Sequence, residues 1–240
     1  MAKDLDLVLQ SWKFEPNRVQ ARLVTANDGR EVLQIRIDLG ILQLETKGRP
    51  DGARPHGHAT YADYLRSKVR RKRDFIMNEE ECQEADREFV QYYHRRIAWL
   101  ALRRFHEAVA DADHTLAFMD LVRSHSPSAE YTAAHEQYRN FVCFHRTQAS
   151  AARFAEEDRP EDAIEEIRRG LSQMREHFVE NELEEQMESD ALVVALRQLE
   201  SSLRELHGIE ATLQERLEAA IHNEQYETAA KLRDELRRRQ

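Results

Sequence analysis

Residues 215–240 read ERLEAAIHNEQYETAAKLRDELRRRQ, two short helical patterns that meet at His222-Asn223-Glu224. In the first pattern Leu213, Leu217, Ala220 and Ile221 fall at i, i+4, i+7 and i+8 and form one apolar stripe. In the second, Tyr226, Ala229, Leu232 and Leu236 form another, with Ala230 beside it. Alanines at the seam let two helix backbones come close. Asn223 stands where one helix must stop and the next must be capped, and asparagine suits both positions. Glu227–Lys231, Asp234–Arg238 and Glu235–Arg239 are i, i+4 pairs in the favoured order, each worth roughly 0.2–0.5 kcal/mol. Two helices of about 15 residues are marginal alone, because so small a scaffold buries too little surface to offset chain entropy. Each stripe therefore requires further cover. The preceding helix, with Leu192, Leu196, Leu199, Leu203 and Leu206 on its apolar side, can fold back, or a second copy of the hairpin can dock.

The rest of the chain sets the context. At 240 residues one or two domains are expected, with enough chain for a real core. Charged residues make up 34% while glycine (7) and proline (5) are scarce, which predicts a mainly α protein. A formal net charge of −9 argues against generalised binding to nucleic acid or membrane. Two lone cysteines, Cys82 and Cys143, suggest a reducing compartment rather than a disulfide framework. The opening MAKDLDLVLQSWKF has charges inside its apolar stretch, unlike a signal peptide. No run approaches the roughly 18 apolar residues of a membrane span, so the expected location is cytoplasmic.

The first fifty residues alternate apolar and polar side chains in LDLVLQSWKF (5–14), RVQARLVTA (18–26) and EVLQIRIDL (31–39), with GILQLET (40–46) as a further candidate strand. In the third stretch Val32, Gln34, Arg36 and Asp38 share one face and Leu33, Ile35, Ile37 and Leu39 the other. In the NDGR stretch, Asp28-Gly29 can take the positive φ angles of a tight hairpin. A small antiparallel sheet with one dry face is expected. A Gly/Pro-dense loop, KGRPDGARPHGHAT (47–60), follows, and helical spacing then runs to the end. Helices are expected near 60–76, 79–103, 105–124, 128–157, 160–178, 180–206, 209–222 and 224–239. The division expected is a β-rich piece over 1–58, a helical domain over 59–180, and a helix plus hairpin over 181–240.

Two helix pairs within the middle look alike. WLALRRFHEAVADADHTL and FAEEDRPEDAIEEIRRGL align Trp99 with Phe154, Ala108 with Ala163 and Leu116 with Leu171. This resembles the tetratricopeptide repeat, although the spacing is 55 residues and the first copy lacks the turn glycine. A generic helical bundle gives much the same pattern.

The run LEAAIHNEQYETAAKLRDELRR resembles the UVR motif, the C-terminal helical hairpin of UvrB and UvrC of bacterial nucleotide excision repair. The motif occurs also in Clp-type chaperones and in the activator of a bacterial protein arginine kinase. The matching features are Leu217, Ala220, Asn223-Glu224, Tyr226-Glu227, Ala229-Ala230 and Leu232-Arg233-Asp234. The resemblance implies docking to a counterpart motif on another protein, with Leu217, Tyr226, Ala229, Ala230 and Leu232 in the contact. Leu213, Ala220, Ile221, Asn223 and Arg233 complete the candidate interaction surface. The family often has phenylalanine where Tyr226 stands. Upstream, nothing resembles the UvrB helicase motifs or the UvrC nuclease residues, so a smaller protein with their docking element is implied.

Other constellations are weaker. RSKVRRKR places Arg66, Lys68, Arg70, Arg71, Lys72 and Arg73 in eight residues, a candidate phosphate-contacting patch or a solvated face balanced by NEEECQE. His56 and His58 form an H-x-H pair without further ligands at metal spacing, and are read as surface histidines. The near-repeat in GRPDGARPHG presents arginines to an anionic partner or is a plain connector. Residues 156–190 carry a net charge of −10, suited to a basic partner or to a solvated exterior.

No catalytic group, cofactor site or metal site is expected, and the reading is a non-enzymatic interaction protein. Its expected partner is UvrB, UvrC or a Clp-type chaperone, or a second copy of itself. An accessory role in excision repair is the first reading and an adaptor role in a Clp or arginine-kinase system the second. Family members acting in that second setting commonly carry zinc-binding cysteine pairs, which this chain lacks. Direct nucleic-acid binding through 66–73 is the third.

Overall fold

The computed structural model describes residues 5–72 and 74–239, so Arg73 of the basic run lies outside the described residues. Two compact units form, one up to Val142 and one from Cys143 onward. The first holds α1 (Asp6–Ser11), β1 (Gln20–Thr25), β2 (Glu31–Ile37), β3 (Gly40–Glu45), α2 (Tyr61–Arg71), α3 (Glu79–Ala101), α4 (Phe105–His125) and α5 (Ala129–Glu136). The division falls within α6 (Arg139–Glu156), and the second unit continues with α7 (Pro160–Glu180), α8 (Glu184–Met187), α9 (Ala191–His207), α10 (Leu213–His222) and α11 (Tyr226–Arg239). The chain is mainly helical, with one small antiparallel sheet and a C-terminal hairpin.

The sheet runs β1-β2-β3 with Leu33 paired to both Leu23 and Leu44. In the β1–β2 turn only Gly29 takes a positive φ (86°), and the Ala26 N–H bonds to the Arg30 carbonyl at 2.7 Å. A single left-handed glycine before the second strand is a bulged turn rather than the two-residue turn that positive φ at both Asp28 and Gly29 would give. The single dry face is corrected as well. Val32 and Arg36, on the face read as polar, are buried along with Leu33 and Ile35, whereas Ile37 and Leu39 are exposed. Residues 12–14 supply the cover. Arg36 Nε donates to the Trp12 carbonyl at 2.7 Å, and Arg22 lies 4.2 Å over the Trp12 ring.

The stretch 5–14 is not a strand. Residues 6–11 form α1, closed by the Leu9 N–H on the Leu5 carbonyl at 2.9 Å. Leu5, Val8 and Leu9 lie at i, i+3 and i+4, so the same residues fit one helical turn as well as an alternation. Three helices also end earlier than their periodicity suggests. Residues 75–77 leave α2's path to put Phe75 and Met77 into the core with Tyr61, Leu65, Ala85, Phe118 and Val122, and the Met77 N–H bonds to the His125 carbonyl at 2.9 Å. The span 128–157 breaks between α5 and α6, and 180–206 breaks between α8 and α9. At the latter break the Asp190 carboxylate accepts from the Leu192 and Val193 N–H groups at 2.9 and 3.1 Å.

The two aligned helix pairs close with the same turn. Arg103 and Asp158 both sit at φ 57°. The next N–H, of Arg104 or Arg159, bonds back to the carbonyl of Trp99 or Phe154, at 2.9 Å in each case. This is the Schellman arrangement. Arg104 and Arg159 then lie over the Trp99 and Phe154 rings and pair with Glu107 and Asp162. Ala108 and Ala163 follow, both fully buried. Between α6 and α7 the approach is close enough that Gly170 has no room for a side chain beside Thr147.

A buried polar network ties helices to sheet in the first unit. Glu88 is fully buried and its two oxygens accept the Tyr61 and Ala62 N–H groups, at 2.6 and 3.0 Å, at the start of α2. Arg95 holds both oxygens of Asp111 at 2.9 and 2.7 Å, and donates to the Glu45 and Gly48 carbonyls at 3.0 and 2.8 Å. Arg49, which the loop could have presented outward, is buried against Glu84 at 2.9 Å.

Candidate interaction site

The terminal hairpin begins at a capping box. The Thr212 hydroxyl accepts the Glu215 N–H at 3.1 Å, and Glu215 returns the bond to the Thr212 N–H at 2.8 Å. Two of the free N–H groups of α10's first turn are thereby satisfied. A third, that of Leu213, is taken by Glu161 of α7 at 2.9 Å, and the Thr212 hydroxyl donates to Glu165. The first turn of α10 thus docks on carboxylates, which its positive dipole end favours.

Ion pairs continue the attachment. Arg168 of α7 lies 3.1 Å from Glu218, and Arg204 of α9 lies 2.7 Å from Glu215. Burial alone would push the Glu215 carboxyl up, but the Arg204 guanidinium and the Thr212 N–H outweigh it and hold the pKa below the usual carboxylate range. Glu218 is held low by hydrogen bonds from Gln214 and Arg168.

The hairpin has an apolar core of its own, with Leu213, Ala220, Ala229 and Leu232 buried and Leu217 and Leu236 packed against them. The turn repeats the Schellman geometry of the two aligned helix pairs. Glu224 takes φ 56°, and the Gln225 N–H bonds to the Ala220 carbonyl at 2.8 Å. Ala229 occupies the place that Ala108 and Ala163 occupy in the earlier pairs, four residues beyond the donor of that bond.

The candidate interaction residues therefore divide into two sets. Leu213, Ala220, Ala229 and Leu232 are spent on the seam, and Leu217 and Ala230 are half-buried. Ile221 is 54% exposed and Tyr226 69% exposed, with Asn223 and Arg233 also on the surface. Two large apolar side chains thus flank the turn and face solvent. The periodic stripe alone did not separate these sets, because Ile221 lies in register with it.

The basic run behaves differently from its sequence appearance. Arg66 is paired with Asp63 at 2.9 Å and Lys68 with Glu81, a bond that pushes the Lys68 pKa up. Arg70, Arg71 and Lys72 are exposed at the end of α2. His56 stacks on Tyr64 with ring centroids 3.9 Å apart, and His58 Nε2 lies 3.5 Å from the Ser67 hydroxyl. Cys82 and Cys143 are buried thiols. Among the described residues no group of three or more His, Cys, Asp or Glu is placed to hold a metal ion, and no helix is long and apolar enough to cross a membrane.

One feature of the first unit has no counterpart in the sequence reading. A groove of about 590 Å³ lies between α3, α4 and α5, lined by aromatic side chains and by the buried Arg96. Its signal was present in the sequence. Glu88, Arg95 and Arg96 fall at helical spacing with Ala85, Tyr92 and Trp99, which places charge on the buried face of α3.

Residues 211–239 match the family described as the UvrB/uvrC motif. Neither a curated protein nor a solved structure matches the chain. Motifs of this family mediate protein–protein interaction.

Proposed function

We propose that this protein is a non-enzymatic interaction factor that docks through its terminal hairpin onto the counterpart motif of a UvrB- or UvrC-type protein, as an accessory of nucleotide excision repair. The observation that carries the reading is the motif match over 211–239 on a hairpin whose turn leaves Ile221 and Tyr226 outside. The seam residues already cover one another, so the partner meets the turn end rather than prising the helices apart. Ile221 and Tyr226 supply the apolar contact and Arg233 its charged rim. A contact this small gives modest affinity unless a further surface engages the same partner. The absence of cysteine pairs supports the repair setting over a Clp-type adaptor role.

The test is calorimetry with the purified full chain against the isolated terminal motifs of UvrB- and UvrC-type proteins and against a Clp-type chaperone, with sedimentation of the chain alone. Saturable binding to the repair motifs, reduced at least tenfold by Ile221→Asp/Tyr226→Asp with unchanged circular dichroism, is expected. Binding to the chaperone alone transfers the protein to the adaptor role. Self-association lost in the same variant makes a second copy the partner.

A further inference from the structure

The groove between α3, α4 and α5 reaches below the protein surface. Arg96 and Thr115 at its floor are 2% and 5% exposed, whereas Val90, Tyr93 and Tyr138 at its mouth are open to solvent. Its walls are aromatic and braced. Between ring centroids, Phe89 lies 4.7 Å from Phe118 and 4.8 Å from His135, and Tyr93 lies 6.2 Å from Phe141. Met119 of α4 adds a buried, polarisable apolar surface.

The polar groups on this lining are already engaged within the protein. The Arg96 guanidinium donates to the Thr115 hydroxyl at 3.1 Å, among its other interactions, and that hydroxyl donates to the Asp111 carbonyl at 2.7 Å. Asp86 Oδ1 accepts from the Tyr131 hydroxyl at 2.7 Å and bonds His135 Nε2 at 3.0 Å, while His135 Nδ1 bonds the Tyr131 carbonyl at 2.9 Å. A charged ligand would therefore leave water without meeting a counter-ion that is not already in use. Apolar space of this kind holds water poorly and takes up neutral apolar molecules.

We propose that this groove is a binding site for a small neutral aromatic molecule, its rings set against Phe89, Tyr93 and Phe141 and its outer edge beside Tyr138. The volume of about 590 Å³ falls in the range of small-molecule sites, roughly 300–1,000 Å³. Ring-to-ring contact adds to the burial of apolar area, which favours an aromatic over an aliphatic body. A partner helix would rest on the mouth and leave the depth beside Arg96 and Thr115 unfilled. It would forgo the dispersion contacts that a molecule small enough to enter makes with every wall.

The test is fluorescence titration of the full chain with N-phenyl-1-naphthylamine and with its sulfonated analogue 1-anilinonaphthalene-8-sulfonate, both below their aggregation limits. The neutral dye is expected to bind with one-to-one stoichiometry, and the sulfonate at least about tenfold more weakly because its charge finds no unengaged partner. Displacement should be about threefold or more efficient with 2-phenylphenol than with octan-1-ol, which is comparably hydrophobic but has no ring. Val90 and Ala134 are exposed residues on the groove, one on α3 and one on α5. Val90→Trp and Ala134→Trp should each weaken the neutral dye at least about tenfold without lowering the melting temperature, by filling the mouth. Ile221→Ser/Tyr226→Ser, which alters the other exposed apolar pair, should leave the titration unchanged. The proposal is overturned if the neutral dye does not bind, if the sulfonate binds as tightly, or if octan-1-ol displaces as well as the phenol. Dye binding untouched by both tryptophan variants, or lost in the turn-end variant, overturns it as well.

Discussion

Gly170 sits inside α7 with ordinary helical backbone, where alanine is the better helix former by about 1 kcal/mol. Propensity alone predicts that Gly170→Ala stabilises the second unit. The packing predicts the reverse. A Cβ at this position would stand 2.0 Å from Thr147 Oγ1, 2.6 Å from its Cγ2 and 2.8 Å from its Cβ. Thr147 is fully buried and β-branched, and rotation about its χ1 cannot move its Cβ away. Relief requires α6 and α7 to part. Overpacking of this kind costs about 1–3 kcal/mol, and contacts this short fall at the upper end. Less the propensity gain, the expected net loss is about 2 kcal/mol, a melting temperature lower by roughly 8 °C or more for a unit of this size. Denaturant titration by circular dichroism, with a fluorescence probe in the second unit, reads it directly. Thr147→Ala removes the two closest atoms, and its hydroxyl has no hydrogen-bond partner among the described residues to lose. Combined with Gly170→Ala it should therefore recover most of the loss, a coupling of about 1 kcal/mol or more. If Gly170→Ala is neutral or stabilising, the two helices do not lie at contact spacing and the reasoning fails.

Two further outcomes follow from the hairpin's attachment. Thr212→Ala removes the capping box and the bond to Glu165, and should cost about 1–2 kcal/mol, read as faster amide hydrogen exchange in α10 while the amides of α3 and α4 keep their protection. Acid should loosen the same junction. Glu215 and Glu218 have folded-state pKa values below their ordinary 4.5, so their stabilisation is complete above pH 4.5 and is lost as pH falls below it through the folded values. Stability of the second unit should be flat from pH 8 to 6 and fall below about pH 4.5. Arg204→Met should flatten that acid limb, and an unchanged limb would refute the assignment.

Much of this architecture was legible in the sequence, and the gaps have physical causes. The hairpin shows itself through two apolar stripes around Asn223-Glu224, and β1–β3 through alternation and the Asp28-Gly29 turn. Residues 6–11 do not, because five alternating positions satisfy one helical turn as well as a strand. The two-sided burial of β2 depends on cover from Trp12 and Phe14, which no local pattern in 31–39 encodes. The break at Glu182 lacks glycine, since that residue takes the left-handed conformation with its own side chain, at φ 57°. Glu88, Arg95 and Arg96 of α3 turn inward toward partners distant in sequence, which no local pattern names. The groove beside Arg96 leaves only a local trace in the sequence, charge at the buried spacing of α3, because it is assembled from three helices and the start of a fourth.

The three Schellman hairpins make the strongest physical case for the terminal one as a docking element. In the α3–α4 and α6–α7 pairs the carbonyl that closes the turn belongs to an aromatic residue, and an arginine then lies over that ring and pairs with an acid one helical turn on. Those turn ends are finished structures, their aromatic surface covered by the chain itself. In the α10–α11 pair the closing carbonyl belongs to Ala220 and the next residue is Gln225, so neither the ring nor the arginine is present. The aromatic side chain appears instead at Tyr226, beside Ile221, and both face outward. Identical backbone geometry thus coexists with opposite treatment of apolar surface. The hydrophobic effect supplies no intramolecular reason to leave Ile221 and Tyr226 in water when the same turn, twice upstream, shows how to cover them. A partner that covers them supplies that reason. It also predicts that polar replacement of the exposed turn-end pair alone, as Ile221→Ser/Tyr226→Ser, would keep the hairpin folded by melting temperature while abolishing capture of the partner motif. Retained capture would show that the turn end is not the contact.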